Sequence, residues 1–178
     1  MKALVVVDMQ KDFCYKNGAL YIQGAEEIFK TTREAVKKAR GRIPVIFTQD
    51  WHREDDGEFK IWPKHCIAGS EGAEIIDELE ATQKDYFVRK RRYSAFFGTD
   101  LDLLLRELKV LEVFVCGVAT NICVLHTAGD AAIRGYRVSV LQDCTKALND
   151  YDYEYALRHM KNVFNANIIS SKEFARLL

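Results

Sequence analysis

One alternation constrains this chain more than any other feature. Short apolar runs rich in β-branched residues (ALVVV, PVIFT, YFVR, LEVFVC, RVSVLQ and ANII) are separated by longer stretches of helical spacing. The runs predict strands at Ala3–Val7, Pro44–Thr48, Tyr86–Arg89, Leu111–Cys116, Arg137–Gln142 and Ala166–Ile169. The stretches predict helices at Ala25–Arg40, Ala73–Ala81, Asp100–Leu108, Thr120–Arg134 and Tyr153–Asn162, with a short last one at Ser171–Leu177. Leu101, Leu104, Leu105 and Leu108 have the spacing of one buried helical face. Gly41 and Gly135 stand where helices end. Strands alternating with helices predict a parallel sheet with right-handed crossovers. Nearly continuous apolar strands suit a sheet covered on both faces. The expected class is therefore α/β: a doubly wound, mostly parallel six-stranded sheet with helices on both sides, in one domain over residues 1–178.

Composition narrows the partners. Lys+Arg and Asp+Glu are equal at 26 each, so no net field draws nucleic acid or an anionic membrane. The apolar start of MKALVVVDMQ is too short for a signal peptide, and no run approaches the roughly 20 apolar residues of a membrane span. Five cysteines, an odd number with no CxxC pair, read as a reduced cytoplasmic protein without disulfides. A small molecule is the expected partner.

In an open parallel sheet, ligands bind beyond the carboxyl ends of the strands. The predicted strands deliver Asp8, Asp50 with His52, Lys90, the segment GVAT leading to Cys123, and Asp143 to that rim. Thr120 would cap the helix that carries Cys123, and unpaired N–H groups and the helix dipole there favour a thiolate and an oxyanion. A lone cysteine is equally a small buried residue. Asp8 after an apolar run suits a proton acceptor, or a carboxylate bonded to backbone N–H groups of Met9–Phe13. Lys90 lies in RKRR, otherwise a solvated basic run, but at a strand end it would stabilise both Asp8 and a Cys123 thiolate. The long loop after the second strand carries Asp50, His52 and His65. One carboxylate and two imidazoles suit Zn²⁺, Fe²⁺ or Mn²⁺, or they are plain polar surface. His126 and His159 fall within helices and read as structural or exposed.

Together, VVDMQKDF, TQDWH, WPKHC, KRRYSAFFGTDL and GVATNICVLHTAGDA resemble the isochorismatase-like cysteine hydrolases, and DWH with WPKHC is most similar to their nicotinamidase/pyrazinamidase branch. The resemblance implies Asp8, Lys90 and Cys123 as the catalytic triad and Asp50, His52 and His65 as metal ligands, Zn²⁺ above all. It implies a cis peptide between Val118 and Ala119, which would aim the Ala119 N–H, beside that of Cys123, at the oxyanion. It also implies Phe13, Trp62 and Tyr93 as pocket walls, nicotinamide hydrolysed through a Cys123 thioester to nicotinic acid and ammonia, and a homo-oligomer. Some nicotinamidases have a further histidine ligand where REDDGEF offers only Glu54, Asp55, Asp56 and Glu58, so water or a carboxylate fills that place. Lys90 and Tyr93 are three apart, as in other cysteine hydrolases of the fold, where many nicotinamidases carry an insertion. The competing expectations are a metal-free amidase for carbamoyl or ureido compounds, a non-haem iron oxygenase that leaves Cys123 without a role, and a non-enzymatic binding member.

Overall fold

The computed structural model describes residues 1–178. Its centre is a six-stranded sheet in the order β3-β2-β1-β4-β5-β6, with every pairing parallel. The strands are β1 (Lys2–Val7), β2 (Val45–Asp50), β3 (Tyr86–Lys90), β4 (Glu112–Val118), β5 (Arg137–Lys146) and β6 (Asn167–Ile169). The β2 side chains are all buried and those of β1 nearly so, whereas edge strand β3 alternates between exposed and buried. The continuous apolar runs thus mark the strands that have neighbours on both sides.

Helices cover both faces, as the alternation predicts. They are α1 (Lys11–Cys14), α2 (Phe29–Ala39), α3 (Leu101–Glu107), α4 (Leu125–Ile133), α5 (Asp150–Val163) and α6 (Ser171–Leu177). One core layer joins Leu4, Phe47 and Phe114 of the sheet to Val36 of α2 and Phe174 of α6. The other joins Val5, Val113 and Val138 to Leu105 of α3, Ala128 of α4 and Met160 of α5. Of the predicted leucine face, Leu101 and Leu105 are fully buried, and Leu104 and Leu108 pack at its margin.

Several expected boundaries move, each for a physical reason. No helix forms over Ala73–Ala81. Two 3-10 turns, Glu71–Ala73 and Asp77–Leu79, bury Ala73, Ile76 and Leu79, whose spacing of three mimics a helical face. The backbone between them instead bonds the segment after β1, with Lys11 N–H to the Glu74 carbonyl at 2.9 Å and Ile76 N–H to the Met9 carbonyl at 2.9 Å. Helix Ala25–Arg40 opens as a 3-10 turn over Ala25–Ile28 before α2. Helix α5 starts at Asp150, because the Asn149 side chain accepts the Asp152 N–H at 2.9 Å and caps it there. Strand β5 continues through Lys146, so Asp143 does not end it. The Asp143 carboxylate accepts from the Ser171 N–H and hydroxyl at the start of α6 and contributes nothing to the rim.

The switch in strand order falls between β1 and β4, where the two chains diverge to opposite sides of the sheet. Gly117 makes the close approach there possible. Its φ is +105°, and a Cβ on it would lie 2.0 Å from the Val7 carbonyl oxygen. Gly117→Ala should therefore lower stability by about 3 kcal/mol or more, the combined effect of a positive φ and overpacking against backbone. Denaturant unfolding measures this, and a midpoint equal to that of the parent would refute it.

Candidate active site

The strand ends assemble the site. Asp50 and Lys90 are the last residues of β2 and β3 and are register partners, so the sheet itself sets acid beside lysine. Asp8 follows β1 in a left-handed conformation, φ 47°, which turns the chain at the rim. The Lys90 side chain is completely buried. Its ammonium lies 2.7 Å from Asp8 Oδ2, 2.5 Å from Asp50 Oδ1 and 3.5 Å from Cys123 Sγ, and donates to the Arg92 carbonyl at 3.0 Å. The remaining Asp8 oxygen accepts the Thr48 hydroxyl at 2.6 Å. Asp8 thus takes its bonds from β2 and β3 side chains and none from N–H groups of Met9–Phe13. Lys90 is likewise no solvated basic residue.

Burial is the first influence on each of these groups. It drives the Asp8 carboxyl above the ordinary range, with Asp50 adding to it and Lys90 opposing. Burial also pushes Asp50 up, but Lys90 and the two histidines outweigh it and hold that carboxyl well below the usual values. Burial would discharge Lys90, yet Asp50 and Asp8 keep its ammonium protonated far above the ordinary range. Burial and the two carboxylates push the Cys123 thiol well up against the pull of Lys90. Burial therefore opposes the thiolate that the helix position favours, beside a carboxylate whose hold on a proton is raised. Asp8 is within reach of the thiol: the Asp8, Asp50 and Cys123 ligand atoms all lie within 4.8 Å of one another.

Cys123 sits in a π-turn, Thr120–Val124, that leads into α4. Thr120 is not its cap. The Thr120 hydroxyl is buried against that of Thr145 at 2.8 Å, and Ala119 occupies the capping position. The Val118–Ala119 peptide is cis, and the Ala119 N–H donates to no group of the chain.

A second cluster adjoins the first. Ligand atoms of Asp50, His52, Glu58 and His65 lie within 4.8 Å of one another, and all four residues are buried. His65 Nδ1 faces the Pro63 carbonyl at 2.7 Å, so it is the N–H and Nε2 carries the lone pair toward Asp50, 3.7 Å away. His52 Nδ1 faces Asp56 at 3.2 Å, leaving Nε2 pointed at Asp50 and Glu58. His52 Nε2 and Glu58 Oε2 are buried with no hydrogen-bond partner. Orphaned ligand atoms among two imidazoles and two carboxylates fit a divalent cation. Of the four acids in REDDGEF, Glu58 joins the cluster, Asp56 stands behind it, and Asp55 pairs with exposed Arg53.

Both clusters open on one cavity, which Asp50, Glu58, His65 and Cys123 line. Phe13, Trp62 and Tyr93 line it, together with Leu20, Ile22 and Leu148. The Phe13 ring lies 5.3 Å from that of His65, and Trp62 Nε1 donates to the Tyr93 hydroxyl at 3.1 Å. Ten of its thirteen lining residues are apolar, and none is Arg or Lys. Two side chains tie the surrounding loops down. Gln10 exchanges bonds of 2.8 Å with the Asp50 backbone and holds the Ala73 carbonyl. Asp12 accepts from the Cys66 and Ala19 N–H groups at 2.7 and 3.1 Å. Leu20, Ile22, Leu148, Gln10 and Asp12 escape a reading of the sequence, because only the folded loops bring them to the rim. No helix is long and apolar enough to cross a membrane.

The Isochorismatase domain family matches residues 2–173. The nicotinamidase/pyrazinamidase of Mycobacterium tuberculosis is 30% identical, over 96% of this chain and all of its own length. The solved pyrazinamidase of Pyrococcus horikoshii in complex with zinc is 35% identical at a TM-score of 0.90, covering 95% of this chain and 98% of its own. The N-carbamoylsarcosine amidase of Thermoplasma acidophilum is also 35% identical, at a TM-score of 0.87 over 96% of both chains. With the sheet order, the buried acid–lysine–thiol cluster and a family match across nearly the whole chain in place, this protein belongs to the isochorismatase family of cysteine hydrolases.

Proposed function

We propose that this enzyme hydrolyses the carboxamide of a neutral aromatic amide, nicotinamide or pyrazinamide, to the acid and ammonia. The observation that carries this reading is the Asp50–His52–Glu58–His65 cluster on the same apolar cavity as Cys123. Phe13 and Trp62 would wall the substrate's flat ring. A divalent cation, Zn²⁺ or else Fe²⁺ or Mn²⁺, held by those four residues would supply a Lewis acid that orients the ring nitrogen.

The chain's own groups then perform the chemistry. Asp8 takes the thiol proton of Cys123 as Sγ bonds to the carboxamide carbon. The N–H groups of Ala119 and Cys123 hold the oxyanion. The C–N bond breaks as Asp8 gives that proton to the departing amine, leaving ammonia and a Cys123 thioester. Water, losing a proton to Asp8, attacks the thioester carbon, and the proton passes to Sγ as the acid leaves. Lys90 keeps its charge throughout and holds Asp8 in place.

A carbamoyl amino acid, the kind of substrate the Thermoplasma relative's name implies, carries a carboxylate. The cavity lining offers it no Arg or Lys side chain, since Lys90 is already committed to Asp8 and Asp50. The test is ammonia release from nicotinamide, pyrazinamide and N-carbamoylsarcosine, with and without a chelator. We expect turnover of the two pyridine-type amides, lost on chelation and restored by Zn²⁺ or Mn²⁺. Chelator-resistant turnover of N-carbamoylsarcosine alone would overturn the assignment.

A further inference from the structure

Asp56 is a carboxylate of which only 2% is exposed, next to the metal-type cluster but outside it. Each of its bonds runs to a part of the site. Oδ2 faces His52 Nδ1 at 3.2 Å, and Oδ1 accepts both the Glu58 N–H at 3.1 Å and the Arg92 guanidinium at 3.0 Å. Arg92 in turn accepts from Lys90 through its carbonyl. The motif RKRR thus contributes, besides Lys90, a second residue that touches both clusters.

We propose that Asp56, anchored by Arg92, is a positioning residue that sets the His52 tautomer and the place of Glu58 for cation binding. The proposal rests on the metal reading above. An imidazole binds a cation through an unprotonated nitrogen, so Nδ1 must carry the hydrogen if Nε2 is to be the ligand. For His65 the Pro63 carbonyl, a pure acceptor, enforces this. For His52 only Asp56 does. The same carboxylate fixes the first turn of Gly57–Lys60 through the Glu58 N–H, and with it the Glu58 side chain.

Asp56→Asn is a discriminating change because it keeps size and shape. The two donors on the Oδ1 side hold the new carbonyl oxygen there, so the amide NH₂ takes the Oδ2 place and meets His52. A donor now faces Nδ1, the hydrogen moves to Nε2, and the ligating lone pair is lost. We expect zinc affinity, measured by competition with a chromophoric chelator, to fall about 10- to 100-fold, the range found for such outer partners. Nitrogen NMR of the metal-free proteins, recorded at a pH high enough for His52 to be neutral, should show it protonated on Nδ1 in the parent and on Nε2 in the variant, with equal melting midpoints. Arg92→Gln, at a half-exposed site, should show a smaller fall in affinity and stands in if Asp56→Asn does not fold.

Equal zinc affinity and the same His52 tautomer in parent and Asp56→Asn would overturn the proposal while leaving the metal reading intact. If the parent takes up no zinc, the metal reading fails instead. The tautomer comparison then decides the role of Asp56 by itself: a switch supports it, and no switch overturns it.

Discussion

Cys123→Ala is expected to fold and to lose at least about ten-thousand-fold in ammonia release from nicotinamide, as removal of a nucleophile from a cooperating triad does. The change is structurally mild. Cys123 sits at the head of α4 with 6% of its surface exposed, and alanine is a good helix former. Removing one sulfur from this position should lower stability by only about 1 kcal/mol. Chemically the loss is complete, because no other thiol replaces it: Cys116 is inside β4, and burial raises its thiol with no lysine beside it. Rapid quenching of the parent with nicotinamide should trap an acyl adduct on Cys123 by mass spectrometry, absent from the variant. Undiminished turnover by Cys123→Ala, or an adduct on another cysteine, would refute the assignment of the nucleophile. Cys116→Ala is the control that should retain activity.

Lys90→Met is expected to act on stability as strongly as on turnover. The substitution keeps most of the unbranched side chain but removes the ammonium between two buried carboxylates. Breaking a buried ion pair by deleting one partner costs about 3–5 kcal/mol, because the other partner remains as an uncompensated charge. Here two acids are left, and both cannot stay ionised at this separation without a cation, so one takes a proton. For a domain of this length the loss corresponds to a fall in melting temperature of about 10 °C or more. Calorimetry of the metal-free variant measures it. Adding Asp8→Asn should recover part of the loss, since it removes one of the stranded charges. A melting point equal to that of the parent would show that Lys90 is not the counter-ion of the pair.

These two residues also mark how far the sequence could be read. Cys123, Asp8 and Lys90 were legible as strand-end residues, because a parallel sheet sends the carboxyl end of every strand to one rim. That Lys90 bonds Asp50 as well as Asp8 was not legible, since it depends on the register of β2 against β3. The surroundings of the thiol were not legible either. A helix start favours a thiolate, but burial beside two carboxylates opposes it. The apparent helix Ala73–Ala81 failed because its apolar spacing of three is met equally well by two separate turns, and its backbone found partners near Met9 and Lys11.

The sequence by itself determined the architecture and much of what reaches its rim. Runs of apolar residues too short for helices and too continuous for solvent-facing strands admit little but a covered parallel sheet, whose strand ends then bring Asp8, Asp50 and Lys90 together. Only the tertiary structure decided which of four neighbouring acids in REDDGEF does what: Glu58 turns into the cluster, Asp56 stands behind His52, and Asp55 faces Arg53 at the surface. Four carboxylates within five residues are indistinguishable by type and spacing. They are separated by a 3-10 turn whose direction is set by the groups it packs against, and part of that information lies in Arg92, 36 residues away along the chain.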